Sequence, residues 1–265
     1  MVFDCLLQRK NSPNLLVTFS GALAPGKRAS VTFPIFSGTG IAKDLNCSVL
    51  SIADPTLVLS RDLSLAWYAG CLGLNLPALI VSVVQHISNS LGTSSIFLLG
   101  GSGGGFAALN TSLRLPQSTV ICMNPQTNIA AYYKNFTSQF SKACFGRTNF
   151  ELVPNEHKVR HRTNLLNLYK KNHNNNIFYL QNLSDSHLQT HAIPFSRALE
   201  YDQEIMTAQT GIYNLTDKAI LIVGNWGKGH IPTPKIRLHH LLSKVFKNPR
   251  EAKEILQENN EWLIN

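Results

Sequence analysis

The stretch SIFLLGGSGGGFAAL, residues 95–109, decides how this chain is read. An apolar run, Ile96 to Leu99, meets five glycines interrupted once by Ser102, and the chain then continues into Phe106–Leu115, which has helical character. The pattern predicts a strand, a sharp turn and a helix, with a hydroxyl at the apex. An apex residue in so tight a turn takes strained backbone geometry, and side chains on its neighbours would collide, so small residues flank it. Gly100, Ser102 and Gly104 satisfy the G-x-S-x-G spacing of a nucleophile elbow. Phosphate-binding turns are also glycine-rich. The dinucleotide fingerprint, however, wants an acidic residue roughly 20 positions on, and the P-loop wants a Gly-Lys-Ser/Thr ending; neither is present. The plainer alternative is a close-packed strand–helix turn with an incidental serine.

Working outward, short apolar runs recur at Leu15–Phe19, Cys47–Ala53, Thr119–Met123, Ile177–Gln181 and Ala219–Val223, and Met1–Arg9 has the looser alternation of an edge strand or hairpin. Helical patterns lie between or after them at Pro77–Leu91, Pro194–Met206, Lys235–Phe246 and Pro249–Leu263. Strands that are apolar throughout and alternate with helices imply an α/β fold whose mainly parallel sheet is covered on both faces. The tract His173–Asn176 reads as a surface turn. A length of 265 residues suits one α/β domain spanning 1–265, with residues 128–175 as a lid-like insertion.

The chain carries a formal charge of +9, and much of the excess falls in that insertion. Between positions 128 and 175 eight Lys or Arg residues, Lys158, Arg160 and Arg162 among them, face only Glu151 and Glu156. A basic surface attracts polyanions such as acidic glycans, nucleic acid or anionic headgroups, or is merely a solvated face. No run is long enough for a membrane span, and MVFDCLLQRK lacks the pattern of a secretory leader, so the expected location is cytoplasmic. Five scattered cysteines with no C-x-x-C pair read as buried thiols in a reducing compartment. No metal is expected, because H-E-x-x-H is absent and His239-His240 lacks the i, i+4 spacing.

In a parallel sheet, reactive groups collect at the carboxyl ends of the strands. Those ends hold Ser20, Gly21, Asp54, Ser102, Asn124, Gln126, Asp185, His187 and His230. A serine hydroxyl needs a base to take its proton and a third group to orient that base. All three kinds are present. His230 follows a glycine-rich loop, Gly224–Gly229, that could bring its ring over the elbow; His187 is its nearest rival. Asp54 precedes the elbow strand and reads more simply as a turn with Pro55. Asn124 and Gln126 are either turn residues or ligands for a hydroxylated substrate, and Trp67 could stack on a sugar face or pack in the core.

With the elbow at Ser102, an acid after the penultimate strand at Asp185 and a histidine after the last strand at His230, the chain resembles the α/β-hydrolase superfamily over nearly its whole length. The resemblance implies Ser102 as nucleophile, His230 as general base and Asp185 as the carboxylate that fixes the imidazole tautomer. It also implies an oxyanion hole from the backbone N–H groups of Gly103 and Ala22. The phrases GSGGGFAAL, NPQTNI and GKGHIP are similar to hydrolase-fold proteins of bacterial surface-polysaccharide biosynthesis, capsule O-acetyltransferases included. What that implies is O-acetyl transfer to, or removal from, an acidic polysaccharide, with acetyl-CoA as the acyl donor for transfer. The substrate-contacting residues would then be Asn124, Gln126, Trp67, Lys158, Arg160 and Arg162. The other readings are a general carboxylesterase or peptidase of the same fold, and a non-catalytic polyanion-binding protein; nucleic acid is the less expected partner.

Overall fold

The computed structural model describes residues 1–24, 26–28, 30–156, 158–170, 173–201, 209–247 and 261–264. Strands β1 (Cys5–Gln8), β2 (Asn14–Phe19), β3 (Ser48–Ile52), β4 (Ser95–Gly101), β5 (Thr119–Met123), β6 (Asn176–Asn182), β7 (Gly211–Asn214) and β8 (Ala219–Gly224) form one sheet. Their order is β1-β3-β2-β4-β5-β6-β8-β7. The inner strands are all parallel, and β1 and β7 pair antiparallel at the two edges. The helices are α1 (Leu76–Leu91), α2 (Gly103–Ser112), α3 (Lys134–Phe145), α4 (Val153–Glu156), α5 (Arg160–Thr163), α6 (Leu166–Tyr169), α7 (Ile193–Ala198), α8 (Lys235–Lys247) and α9 (Glu261–Ile264).

The strands read as unbroken apolar runs because both of their faces are covered. Leu15, Val17 and Phe19 of β2 join one apolar cluster with Ile80 and Val84 of α1 and Phe106 and Leu109 of α2. Leu16 joins the opposite cluster, with Phe97, Leu99, Phe178, Ile220 and Ile222, under Leu238, Leu241, Leu242 and Val245 of α8. The period of two along each strand thus feeds two cores.

Several sequence expectations are corrected. β7 has no strong apolar signal; its residues are half-buried or exposed, and it is held by pairing with β8. Asp185 therefore follows the penultimate parallel strand rather than the penultimate strand. The elbow helix begins at Gly103, not Phe106, because the glycines themselves form its first turn. The helix expected over 194–206 ends at Ala198, and its positions 202–206 lie outside the described residues, as does most of the expected Pro249–Leu263 helix. Cys5 is exposed on the edge strand. Asn175 is buried, its amide donating to the carbonyl of Leu115 at 2.7 Å, so the His173–Asn176 tract is anchored on its inner side. Among the described residues no helix is long and apolar enough to cross a membrane.

The glycine run is explained by close approach of three backbones. A Cβ on Gly100 would lie 2.2 Å from the Gly104 carbonyl oxygen, and one on Gly104 would lie 2.5 Å from the Phe19 carbonyl oxygen at the end of β2. A Cβ on Gly101 would meet nothing closer than Met123 Cε at 3.6 Å, an ordinary contact. Gly104→Ala should therefore destabilise the protein by about 1–3 kcal/mol, as overpacking does, whereas Gly101→Ala should unfold in denaturant close to wild type. Equal midpoints for the two variants would contradict this account of the turn.

Candidate active site

Ser102 sits at the junction of β4 and α2 with φ +54° and ψ −121°, a conformation that L-residues rarely adopt. Its backbone is held on both sides. The Ser102 N–H donates to the Met123 carbonyl at 2.8 Å, and its own carbonyl accepts from the Phe106 N–H at 3.1 Å. The side chain is held as well: Gln126 Nε2 donates to Ser102 Oγ at 2.9 Å, while Gln126 Oε1 accepts from the indole N–H of Trp67 at 3.1 Å. Because Oγ accepts from the amide, its own proton is left for a base.

A histidine and a carboxylate meet across the carboxyl edge of the sheet. His230 Nδ1 donates to Asp185 Oδ2 at 2.6 Å, linking the loop after β8 to the loop after β6. The carboxylate is almost wholly buried, whereas the imidazole is about half exposed. Asp185 Oδ1 accepts from the His187 N–H at 3.0 Å. Burial opposes ionisation of Asp185, but the hydrogen bonds from His230 and the His187 N–H, and the neighbouring imidazoles, outweigh it and hold the carboxyl below its usual range.

His187 lies against His230 with ring centroids 4.5 Å apart and the planes tilted by 56°, and its Nδ1 lies 2.8 Å from the Asn124 carbonyl. Burial lowers the pKa of His187, and pushes that of His191, in a π-helical turn (Leu188–Ala192), down to about 3. The ligand atoms of Asp185, His187 and His230 lie within 4.8 Å of one another, near enough to serve as metal donors. Two of the groups are already committed, His230 Nδ1 to Asp185 and His187 Nδ1 to the Asn124 carbonyl.

The turn after β2 closes the other side of the elbow. A Cβ on Gly21 would lie 3.7 Å from Ser102 Cβ, so this turn packs directly on the serine. The Ser20 N–H donates to the Tyr68 hydroxyl at 2.8 Å, that hydroxyl donates to the Ile52 carbonyl, and the Leu23 N–H donates to the Ser64 carbonyl. Trp67 and Tyr68 both have left-handed φ, +53° and +54°. Tyr68 is held by buried Asp54, which accepts from the N–H of Tyr68 at 2.7 Å and of Thr56 at 3.0 Å. Burial pushes the Asp54 carboxyl up despite these bonds.

Ser102, Ala22, Asn124 and His230 line one cavity of about 830 Å³, which also takes in Phe19, Met123, Tyr132 and the first turn of α8. Gly103 is buried at the start of α2, directly after the elbow. The other sequence candidates are placed differently. Trp67 is fully buried, edge-on to Tyr132 and Phe140, and cannot present a face to a sugar. Asn124 lines the cavity, but its amide is spent on the scaffold: Nδ2 donates to the Ile231 carbonyl at 2.8 Å and Oδ1 accepts from the Asn182 N–H at 2.7 Å. Gln126 is committed to Ser102 and Trp67. Arg162 is buried and donates to the carbonyls of Ala69 and Leu74, so its charge braces the loop before α1. Lys158 and Arg160 are exposed, and neither lines the cavity.

Sequence reasoning missed Asn182. Its Nδ2 donates to the carbonyls of Gly227 and Gly229, and its Oδ1 accepts from the Trp226 N–H, so one buried amide shapes the loop that carries His230. A polar residue closing an apolar strand was the only signal available for it.

Two outcomes are expected. Gln126→Leu leaves the Trp67 indole N–H buried without an acceptor and should cost about 1–3 kcal/mol in denaturant unfolding. For His191 the folded pKa lies below the unfolded one, so its contribution to stability is complete above pH 6.5 and is lost as the pH falls toward about 3. His191→Leu should therefore flatten the fall in unfolding midpoint over that window; an unchanged slope would remove His191 from the account.

No family model matches the chain, and no curated protein is similar to it in sequence. Solved structures are similar in three dimensions. The capsule O-acetyltransferase of Neisseria meningitidis serogroup A aligns with a TM-score of 0.60 at 17% identity over 92% of each chain. A mutant of that protein solved in complex with CoA aligns over 91% of each chain at 16% identity, with a TM-score of 0.60. The monoacylglycerol lipase of Paleococcus ferrophilus aligns with a TM-score of 0.51 at 12% identity, over 99% of this chain and 98% of the other. With the parallel sheet, the elbow between β4 and α2 and the acid and histidine loops at the carboxyl edge, these likenesses identify the chain as having the α/β-hydrolase fold.

Proposed function

We propose that the protein is a serine-dependent acyltransferase that works through an acyl-enzyme on Ser102. The observation that carries this reading is the 2.6 Å bond between His230 Nδ1 and Asp185 Oδ2, with His230 and the strained Ser102 lining the same cavity. Asp185 holds the imidazole with its proton on Nδ1, leaving Nε2 free to take the Ser102 proton as Oγ attacks an acyl carbonyl. The developing oxyanion is bound by the backbone N–H groups of Gly103 and Ala22, a kind of donor worth about 3–4 kcal/mol in the transition state. His230 then protonates the departing group. In the second half the acceptor hydroxyl gives its proton to His230 as it attacks the acyl carbonyl, and His230 passes a proton to Ser102 Oγ as the acyl–oxygen bond breaks, which restores the free serine and the neutral imidazole.

The finer reading is O-acetyl transfer from acetyl-CoA to a bacterial, acidic polysaccharide. Its support is the likeness over nearly the whole of both chains to a capsule O-acetyltransferase, and the solution of that protein with CoA. The charge of +9 favours an anionic acceptor, for which exposed Lys158 and Arg160 are available cations. Ester hydrolysis is the second reading, favoured by the apolar lining that Phe19, Ile41, Leu99 and Leu238 give the cavity.

The test is intact-protein mass after exposure to a fluorophosphonate, and separately to acetyl-CoA, for wild type and Ser102→Ala. A fluorophosphonate adduct on wild type alone is expected, together with an acetyl adduct on wild type alone. Full activity in Ser102→Ala would overturn the mechanism, and a fluorophosphonate adduct with no acetylation would favour the hydrolase.

A further inference from the structure

The Ser102 hydroxyl oxygen carries a hydrogen bond that its activation by His230 does not need: Gln126 Nε2 donates to it at 2.9 Å. Resting on the acyl-enzyme reading above, we infer that Gln126 is a further catalytic residue, which speeds release of the acyl group by destabilising the acyl-enzyme and receiving the serine oxygen as it departs.

Chemistry fixes the direction of this bond. The indole N–H of Trp67 can only donate, and it meets Gln126 Oε1 at 3.1 Å, so the amide must turn Nε2 towards the serine. Trp67 is itself held, fully buried and edge-on to Tyr132 and Phe140. The Gln126 backbone is tied to the elbow as well, its N–H donating to the Ser102 carbonyl at 3.4 Å. A Cβ on Gly103 would lie 3.5 Å from Gln126 Oε1, which places the amide beside the first turn of α2. Gln126 is 0% exposed, so bulk water does not reach it to replace a partner that it loses.

That burial matters because Ser102 Oγ changes character during the reaction. As a hydroxyl it accepts a hydrogen bond well. As the bridging oxygen of an acyl ester it accepts poorly, because its lone pair is drawn into the carbonyl. Acylation therefore deprives a buried N–H of its good acceptor, and the free energy of the acyl-enzyme rises relative to free enzyme. In deacylation the acceptor oxygen bonds to the acyl carbon, the carbon–Oγ bond breaks, and its electron pair goes to Oγ, which takes the proton held by His230. Charge builds on Oγ in that step, and a donor already aimed at it stabilises the change without reorganising. The amide thus favours the half-reaction that frees Ser102 over the one that loads it.

The experiment compares wild type with Gln126→Leu and with Trp67→Phe/Gln126→Leu. The single variant leaves the Trp67 N–H without an acceptor. The double variant removes both polar partners, which can be nearly neutral for folding, and so guards against loss of the fold. Each protein is mixed with p-nitrophenyl acetate, and the burst of p-nitrophenol, the steady rate after it and the acetyl adduct by intact mass are followed. Fluorophosphonate labelling of Ser102 is timed in parallel. Expected in both variants are a steady rate lower by about tenfold or more, an acetyl adduct that accumulates, and a burst and labelling no slower than wild type. A burst, labelling and steady rate that all fall together would mean a merely structural role and overturn the inference. A steady rate and adduct lifetime equal to those of wild type would overturn it too. In both of those cases labelling of wild-type Ser102 leaves the acyl-enzyme reading standing. Wild-type protein that is neither labelled nor acetylated refutes the acyl-enzyme, and this role with it.

Discussion

The hydrogen bond from the Ser102 N–H to the Met123 carbonyl is the constraint on which the rest of the site depends. It ties a residue at φ +54° to the end of the neighbouring strand, so the chain can leave β4 and enter α2 with no intervening loop. Backbone strain of this kind costs roughly 1–3 kcal/mol and persists only where the surroundings over-determine it. Here the surroundings are three backbones in contact: Gly100 under the first turn of α2, Gly104 against the end of β2, and Gly105 against Pro125. The elbow is thus a product of sheet and helix packing as much as of its own residues.

Around it the polar groups are arranged in two separate chains. One runs from Asp54 through Tyr68 to the Ser20 N–H and sets the turn that faces the serine. The other runs from Asn124 through Asn182 to the carbonyls of Gly227 and Gly229 and sets the histidine loop. Buried polar groups are costly unless every donor and acceptor is met. Meeting them fixes the loops without drawing on the groups that would react. Trp67 and Gln126 add a third support, reaching Ser102 Oγ from inside the core.

A good part of this was legible beforehand. The strand positions of Leu15–Phe19, Thr119–Met123 and Ala219–Val223 follow from runs of apolar residues, and all three are strands buried on both faces. The elbow at Ser102 and the loops bearing Asp185 and His230 are legible because glycines and a triad order mark them. β7 was not legible, because its Gly-Ile-Tyr-Asn sequence has no face to bury and gains its shape from β8. The roles of Trp67, Gln126 and Arg162 were misread for one reason. An aromatic, an amide and a guanidinium near a site look like ligands until their partners are known, and here the partners are Gln126, Ser102 and two backbone carbonyls.

By itself the sequence determined the periodicities, and through them the layered α/β architecture and the serine at its sharpest turn, because local sterics and alternating hydrophobicity act over a few residues. Only the tertiary structure decided that Asp185 and His230, which the sequence offers as a pair through a family resemblance alone, meet at 2.6 Å from 45 positions apart, and that the basic α8 rather than residues 128–175 supplies the lysine lining the cavity of Ser102. Those pairings depend on which strand ends lie side by side in the sheet, and that order follows from packing between segments far apart in the chain.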